Sequence, residues 1–255
     1  MMAPTSLLLV KFSKSNDQAK LRGIEEWIGY KPKVYSFSLP SGYTCPFAVD
    51  CLSKADRITG KITDGKQTKF RCFSASDEAR SPNARKQRWH NFDILRKLDF
   101  EDMVMELYES MPLDLDICRV HVGGDFFNQK YFEAWLQIAR LLPTKTFYAY
   151  TKSIPYWVNN INNIPNNFIL NASRGGRNDN QIDEFDLKVA EVVYSIEEAE
   201  EKELPIDHNE YYAINNEGNF SLLIHGTQPK GSNASLAIKE LKKNKIQYSY
   251  SRSNN

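Results

Sequence analysis

The feature of this sequence that most constrains its fold is a regular alternation of apolar runs and amphipathic helical patterns. Five strand-like runs end on polar residues or glycine, at 117–122, 146–150, 168–173, 189–195 and 220–225. Helical periodicity follows three of them, at 131–142, 156–161 and 234–243. Strands and helices that alternate at this spacing need right-handed crossovers, so the sequence predicts an α/β fold with a largely parallel sheet.

The first half of the chain supplies one more strand and a long helical pattern. Residues 33–40 alternate apolar and polar side chains before a Pro-Ser-Gly turn, and residues 81–110 repeat apolar side chains at helical spacing. Five or six such units, without a GxGxxG motif after the first strand, predict an incomplete (β/α) TIM-like barrel with parallel strands. We expect a single domain over residues 33–244, with an N-terminal extension at 1–32 and a mobile tail at 245–255.

Composition narrows the class of protein. With 41% hydrophobic and 25% charged residues among 255, the chain has the make-up of a globular protein. Thirty-three Lys and Arg against 32 Asp and Glu give a net charge of +1, which argues against a general nucleic-acid-coating role. No apolar run reaches the length of a membrane span or of a secretory signal, so we expect a cytoplasmic protein without a membrane partner.

Three of the four cysteines lie in one connection, the cysteine-rich loop (residues 41–75), directly after the first strand. Cys45 and Cys51 are separated by five residues, and Cys72 follows twenty residues later. Soft thiolate ligands suit iron–sulfur clusters and zinc, although the spacing lacks the CxxC pairs of a zinc ribbon. The residues therefore leave three alternatives, which are an iron–sulfur cluster, a zinc site and ordinary buried thiols. Cys118 begins a strand far from its polar end, and we expect it to be a core residue.

Polar residues follow the predicted strands, and in (β/α) barrels the reactive groups lie at these carboxyl ends. His121 shares a strand face with Arg119, so both side chains are expected to point into the barrel. A glycine pair before Asp125 permits close approach of a ligand to the backbone. The candidate ligand-binding residues are His121, Gly123, Gly124, Asp125, Lys152, Asn171, Ser173 and His225, and the sequence indicates no catalytic residue among them.

A basic run in the long helical pattern is the candidate nucleic-acid surface. It contains Arg80, Arg85, Lys86, Arg88, Arg96 and Lys97, with Trp89 and His90 among them. Aromatic side chains among cations can stack on bases. The competing interpretation, a solvated helix face, is the more common one for such runs, so nucleic acid is a partner that the sequence allows but does not favour.

Short motifs in a fixed order extend over residues 33–175. They comprise 36–46; 71–73 with 78–80; 119–121 ahead of 124–126, Tyr131 and Trp135; and 147–153, with further matches at 171–173 and 225–228. Together they resemble the phage "gene product 88" family. The resemblance implies a phage-encoded protein that is made in the cytoplasm of a bacterial host.

The predicted architecture also resembles that of radical S-adenosylmethionine enzymes, which combine an incomplete barrel, a cysteine loop after the first strand and a Gly-Gly-acidic turn after the second. Their three cysteines hold a 4Fe–4S cluster whose free iron binds S-adenosylmethionine. The resemblance implies such a cluster on Cys45, Cys51 and Cys72, and S-adenosylmethionine as its ligand. Two departures stand against it, because the family's loop is CxxxCxxC and its acidic residue is Glu where this chain has Asp125.

These observations define three hypotheses. The first is an iron–sulfur protein with a radical-SAM-like barrel and an open cluster iron, carrying out redox or radical chemistry on a small molecule or host macromolecule. The second is a non-catalytic iron–sulfur electron carrier or sensor, which requires a fourth protein ligand. The third is a zinc-stabilised nucleic-acid-binding module that uses the basic run.

Overall fold

The computed structural model describes residues 9–15, 19–21 and 24–246. The strands are β1 (Ser13–Lys14), β2 (Val34–Phe37), β3 (Ser53–Ala55), β4 (Ile62–Asp64), β5 (Ile117–Val120), β6 (Thr146–Thr151), β7 (Phe168–Ser173), β8 (Val189–Val193) and β9 (Phe220–Leu223). The helices are α1 (Ile24–Ile28), α2 (Phe73–Arg80), α3 (Pro82–Leu95), α4 (Phe100–Glu109), α5 (Gln129–Leu141), α6 (Ile154–Val158), α7 (Asp179–Glu184), α8 (Ile196–Glu201), α9 (Tyr211–Ile214) and α10 (Asn233–Lys243). Single 3₁₀ turns occur at Ala19–Leu21 and Ile161–Asn163.

The main sheet has seven strands in the order β1-β2-β5-β6-β7-β8-β9. Only β1 runs antiparallel to its neighbour, and the other six strands are parallel. Each connection between parallel strands therefore leads to the neighbouring position in the sheet, always in the same direction, as strand–helix repeats require. The predicted parallel α/β sheet is confirmed. Strands β1 and β9 lie at its two ends, an isolated bridge joins Ile206 to Ser221 of β9, and the described residues show no closed barrel.

Alternation along the strands gives the sheet two apolar faces. On the outer face, Phe37 and Phe147 pack against Trp135 of α5, with ring centroids 5.4 and 6.1 Å apart. On the inner face, Val34, Ile117, Tyr148 and Phe220 form a second cluster with residues from the N-terminal segment and α9. Because both faces are covered, the polar residues of the strand ends are left at the edge where the parallel strands terminate, called here the carboxyl edge.

The long helical pattern at 81–110 is two helices rather than one. Ser81 caps α3 by accepting a hydrogen bond from Ala84 N at 3.2 Å, and Asp99 caps α4 by accepting one from Asp102 N at 3.0 Å. A capping residue inside the pattern starts a second helix, and the spacing of apolar residues does not reveal such a cap. The β3–β4 hairpin, α2 and the short β1 strand were not predicted.

The predicted terminal segments are only partly described. Within the predicted N-terminal extension, Val10, Leu21 and Ile24 are buried against the sheet. Residues 1–8 lie outside the described residues, as do 247–255, which make up most of the predicted mobile tail. None of the helices in the described part of the chain is both long and apolar enough to cross a membrane.

Candidate functional site

The first part of the cysteine-rich loop contacts the connection that follows β7. Val49 N and Asp50 N donate hydrogen bonds to Gly175 O at 3.1 and 3.0 Å, and Arg177 N donates to Phe47 O at 2.9 Å. In the sheet, β7 lies three positions from β2, with β5 and β6 between them. The segment that contains Cys45 and Cys51 must therefore pass over the carboxyl ends of β5 and β6.

Cys72 is held by the connection that follows β9. The side-chain amide of Gln228 accepts a hydrogen bond from Arg71 N at 2.7 Å and donates one to Arg71 O at 3.0 Å. The same amide donates to His225 O at 3.0 Å, and the His225 ring packs on Phe73 with centroids 4.9 Å apart. Two different connections thus bring the ends of the cysteine-rich loop to one edge of the sheet.

The three thiols of this loop lie within electrostatic range of one another. Burial raises the pKa of Cys45 well above its ordinary value, and Asp125, Cys72 and Cys51 raise it further. Burial also raises the pKa of Cys72 to about 11, again with a contribution from Cys51. Negative charge on any one thiol therefore disfavours ionisation of another, so a cation bound among them would stabilise all three thiolates.

Several groups oppose this effect of burial. Gly42 N donates a hydrogen bond to Cys45 Sγ at 3.3 Å. Burial raises the pKa of Cys51, whereas the positive charge of Lys152 lowers it. Cys72 lies at the N-cap of α2, where the N–H groups of Ser74 and Ala75 lower the pKa of its thiol. Each thiol thus has a donor or a cation that favours its deprotonated form.

Cys118 does not belong to this group. It is fully buried in the outer-face core beside Phe37 and Phe147, as expected for a core residue. Burial raises the pKa of its thiol far above the ordinary value. Among the residues that the structure describes, no three His, Cys, Asp or Glu side chains are grouped so that they could hold a metal ion.

Asp125 joins the carboxyl ends of β5 and β6. Its Oδ1 accepts hydrogen bonds from Phe126 N at 2.8 Å and Thr151 Oγ1 at 2.6 Å, and its Oδ2 accepts one from Lys152 N at 2.8 Å. Burial raises the pKa of this carboxyl to about 6, although the three donors act in the opposite direction. The carboxylate fixes the backbone beneath the cysteine-rich loop.

The glycine pair before Asp125 allows close contact with the cysteine-rich loop and α2. A Cβ on Gly123 would lie 2.2 Å from Ser74 Oγ, and one on Gly124 would lie 2.6 Å from Thr44 Oγ1. Gly124 also has φ of +84°, in the left-handed region that favours glycine. The predicted close approach at these glycines therefore exists, but the protein's own chain makes it.

Lys152 connects β6 to the loop after β7. Its Nζ donates to Ser173 O at 3.0 Å, to Ser173 Oγ at 2.7 Å and to Arg174 O at 2.5 Å. The next residue after Arg174 is Gly175, whose carbonyl holds the first part of the cysteine-rich loop. The structure thus brings five of the eight candidate residues together beneath the loop, namely Gly123, Gly124, Asp125, Lys152 and Ser173.

His121 lies on the opposite face from the one predicted. Its φ of +69° breaks the alternation of the strand, and its Nε2 lies 3.0 Å from the Tyr131 hydroxyl in the outer-face core. Arg119 instead points to the inner face, where its Nη1 lies 3.2 Å from Glu210 Oε1. The expectation that both side chains share a face was wrong, because a residue in the left-handed region turns its side chain out of register.

The buried imidazole predicts acid sensitivity. Burial lowers the pKa of His121 to about 3, so stability is complete above the unfolded pKa of about 6.5 and is lost as the pH falls below it. At pH 5 the loss is about 2 kcal/mol. Asparagine tolerates positive φ, so the His121→Asn variant should fold. Its free energy of unfolding, measured with urea, should fall by about 2 kcal/mol less than that of the wild type between pH 7.5 and pH 5. Equal losses in both proteins would contradict this assignment.

Asn171 and His225 occupy the two remaining candidate positions. Asn171 Nδ2 donates to Ala149 O at 3.2 Å and Ala213 O at 3.0 Å on the inner face, whereas its buried Oδ1 has no hydrogen-bond partner within the described ranges. Burial lowers the pKa of His225 to about 4. Asn171 therefore connects the sheet to α9, and His225 lies beside the helix that Cys72 begins.

The basic run does not form a continuous exposed face. Arg85 and Arg88 are each only 6% exposed. Arg88 Nη1 donates to Glu78 Oε1 at 2.9 Å, and the same oxygen accepts from Ser41 Oγ at 2.7 Å. Arg85 and Arg88, two central cations of the basic run, are thus buried in the interior beneath the cysteine-rich loop. Glu78, which sequence reasoning did not assign to the site, links that loop to α3.

Replacing Gln228 tests how Cys72 is held. Gln228→Leu should lower the free energy of unfolding by about 1 to 3 kcal/mol, because the backbone groups of Arg71 and the carbonyl of His225 lose their partner. Chemical denaturation measures the difference. Gln67→Leu, at an exposed glutamine of the cysteine-rich loop, is the control and should change stability little. Similar effects of the two substitutions would show that Gln228 has no special role.

The fold and this edge define the class of protein, a mostly parallel α/β protein whose cysteine-rich loop lies over the carboxyl ends of its strands. The Gene product 88 family model matches residues 8–247, so the chain belongs to that family. It is 27% identical over 158 residues to the "Gene 88 protein" of Mycobacterium phage L5, a match that covers 56% of this chain and 59% of that protein. The chain thus aligns with less than two thirds of that relative's length, and no solved structure matches it.

Proposed function

We propose that this chain is a phage-encoded iron–sulfur protein whose cluster is bound by Cys45, Cys51 and Cys72. The position of the three thiols carries the proposal. Connections after β7 and β9 hold the two ends of the loop at the carboxyl edge, and Cys51 and Cys72 both raise the pKa of Cys45. Thiolates are the ligands that iron–sulfur clusters use.

The proposal prefers a cluster to a zinc ion because of the ligand type and its spacing. Three thiolates in one loop are the ligands that iron–sulfur clusters use, and the loop lacks the CxxC pairs of a zinc ribbon. The buried Arg85 and Arg88 also remove support from the zinc-stabilised nucleic-acid module that was the third hypothesis.

The surrounding fold supports a site at this edge. Six parallel strands follow one another in sequence order, which is the strand arrangement of an incomplete (β/α) barrel, and such barrels place reactive groups at the carboxyl ends of their strands. With Cys118 in the core, three cysteines remain to hold a 4Fe–4S cluster, and its fourth iron would have no cysteine ligand. If that iron were open to a small molecule, the enzyme hypothesis would be favoured over an electron carrier, which needs a fourth protein ligand.

A cluster with an open iron supplies electrons to a ligand bound there, and the resemblance to radical-SAM enzymes suggests S-adenosylmethionine as that ligand. The chain's own residues would hold the site in shape. Lys152 lowers the pKa of Cys51 and fixes the loop after β7, and Asp125 fixes the backbone beneath the loop. The inferred activity is redox or radical chemistry on a small molecule or host macromolecule.

Anaerobic purification with iron, sulfide and zinc assays tests the proposal. We expect a brown protein with about four irons and four sulfides per chain, as a 4Fe–4S cluster requires. S-adenosylmethionine should then change the spectrum of the reduced cluster, whereas an electron carrier would be reduced reversibly without any effect of this ligand. Stoichiometric zinc, or no metal in a folded protein, would contradict the iron–sulfur assignment.

A further inference from the structure

A polar pocket opens between the N-terminal segment and the outer side of α3. It has a volume of about 420 Å³ and is lined by Lys11, Asn83, Lys86, Gln87 and His90. That volume lies within the range of small-molecule sites. None of the three cysteines of the candidate site lines it, so the pocket is separate from the proposed cluster.

The lining is made of hydrogen-bond donors and cations. Two lysines, two amides and an imidazole face the pocket, and no carboxylate is among them. Neither Lys11 nor Lys86 forms an ion pair with any residue in the described part of the chain. Arg57 and Arg88 of the same region, by contrast, each pair with an aspartate. The pocket thus holds two lysines whose charges are not paired with a carboxylate of the described residues.

The walls of the pocket are fixed by several hydrogen bonds. Lys11 N donates to Asn91 Oδ1 at 2.8 Å, and Asn91 Nδ2 donates to Lys11 O at 3.0 Å. Gln87 Nε2 donates to Ser13 Oγ at 2.8 Å, and His90 Nε2 lies 3.0 Å from Leu9 O. Because the N-terminal segment is attached to α3 in this way, the two lysines start from a constrained backbone, which lowers the entropic cost of binding a ligand.

We propose that this pocket binds a phosphate group. The ammonium groups of Lys11 and Lys86 and the side-chain amide of Asn83 suit phosphate oxygens, and the described lining contains no carboxylate that would repel an anion. His90 is the one ring in the described lining, and its Nε2 lies 3.0 Å from Leu9 O, so contacts to phosphates rather than stacking on bases would provide the binding. Binding to nucleic acid would therefore be independent of sequence, and a free phosphate or a nucleotide offers the same chemistry.

The test measures three probes on the full chain. A fluorescein-labelled twelve-nucleotide oligo(dT) reports on nucleic acid by anisotropy, and calorimetric titrations with inorganic phosphate and with AMP report on the small ligands. Lys86→Glu should weaken binding of the active probe by about tenfold or more and reduce the salt dependence of oligonucleotide binding. Lys97→Glu is the matched control, with the same charge change at an exposed lysine just beyond the C-terminal end of α3, and should weaken binding much less.

The outcomes separate the sources of phosphate from failure of the proposal. Oligonucleotide binding that is lost in Lys86→Glu supports a nucleic-acid backbone as the ligand, and binding of phosphate or AMP alone with the same sensitivity supports a small phosphate ligand. Binding of no probe, or equal weakening by Lys97→Glu, would overturn the proposal. If Lys86→Glu does not fold by circular dichroism, Lys86→Gln replaces it, because that change removes the positive charge without reversing it.

Discussion

Replacement of Glu210 by glutamine is expected to lower the free energy of unfolding by about 3 to 5 kcal/mol, because it removes the charged carboxylate from a buried ion network. Glu210 is fully buried on the inner face of the sheet. Its Oε1 lies 3.3 Å from Lys20 Nζ and 3.2 Å from Arg119 Nη1, and its Oε2 accepts a hydrogen bond from the Tyr150 hydroxyl at 3.0 Å. Two buried cations would lose the carboxylate that they share.

The pH dependence of this network has a defined sign. Burial raises the pKa of Glu210, but Arg119, Lys20 and the Tyr150 hydroxyl together lower it below its ordinary value. A lowered carboxyl pKa stabilises the folded protein above the unfolded pKa, and that stabilisation is lost as the pH falls through the folded pKa. The difference in stability between the wild type and Glu210→Gln should therefore be largest near neutral pH and should shrink in acid.

Urea unfolding of the wild type and Glu210→Gln at pH 7.5 gives the measurement. Glu200→Gln, at an exposed glutamate of α8, is the control and should change the free energy of unfolding by less than about 0.5 kcal/mol. A small effect of Glu210→Gln, equal to that of the control, would show that the network contributes little and that Leu21, α1 and α9 are held on the sheet mainly by the apolar contacts of the inner-face cluster.

Local patterns predict the parallel strands well and the inner-face network poorly. Five of the six parallel strands are apolar runs of the kind that burial on two faces requires, and β2 lies in a segment that alternates apolar and polar residues, so local patterns locate all six. Arg119 and Glu210 are 91 positions apart, and no local pattern connects them. The positive φ of His121 was equally hidden, because a non-glycine residue in the left-handed region carries no compositional signal.

The candidate site was predictable in composition and less so in geometry. The rule that reactive groups lie at carboxyl ends of parallel strands located Asp125, Lys152 and Ser173, which the structure brings together. The rule does not foresee that Lys152 binds the Arg174 carbonyl in the loop after β7, or that the Gly175 carbonyl of the same loop binds the cysteine-rich loop, since such contacts depend on the path of the chain and not on residue type. It also did not reveal that Arg85 and Arg88 are buried.

Alanine at Cys45, Cys51 or Cys72 is expected to remove most of the bound iron and sulfide, together with the visible absorption of the proposed cluster. Each substitution deletes one of three thiolate ligands, and an alanine methyl group cannot replace it. The loss should be cooperative, because a cluster with two protein ligands is not retained. Iron and sulfide assays and visible spectra after anaerobic purification measure the effect for each variant.

Cys118→Ala is the matched control for this series, because it makes the same change at a cysteine buried in the outer-face core. It should retain its iron while the cavity that it creates lowers stability by about 1 kcal/mol. Circular dichroism separates loss of the cluster from loss of the fold in each variant. If Cys118→Ala loses its iron while the three loop variants keep theirs, the ligands lie elsewhere. If the folded loop variants all keep their iron, the loop cysteines are ordinary thiols, and the carboxyl edge needs another explanation for Asp125 and Lys152.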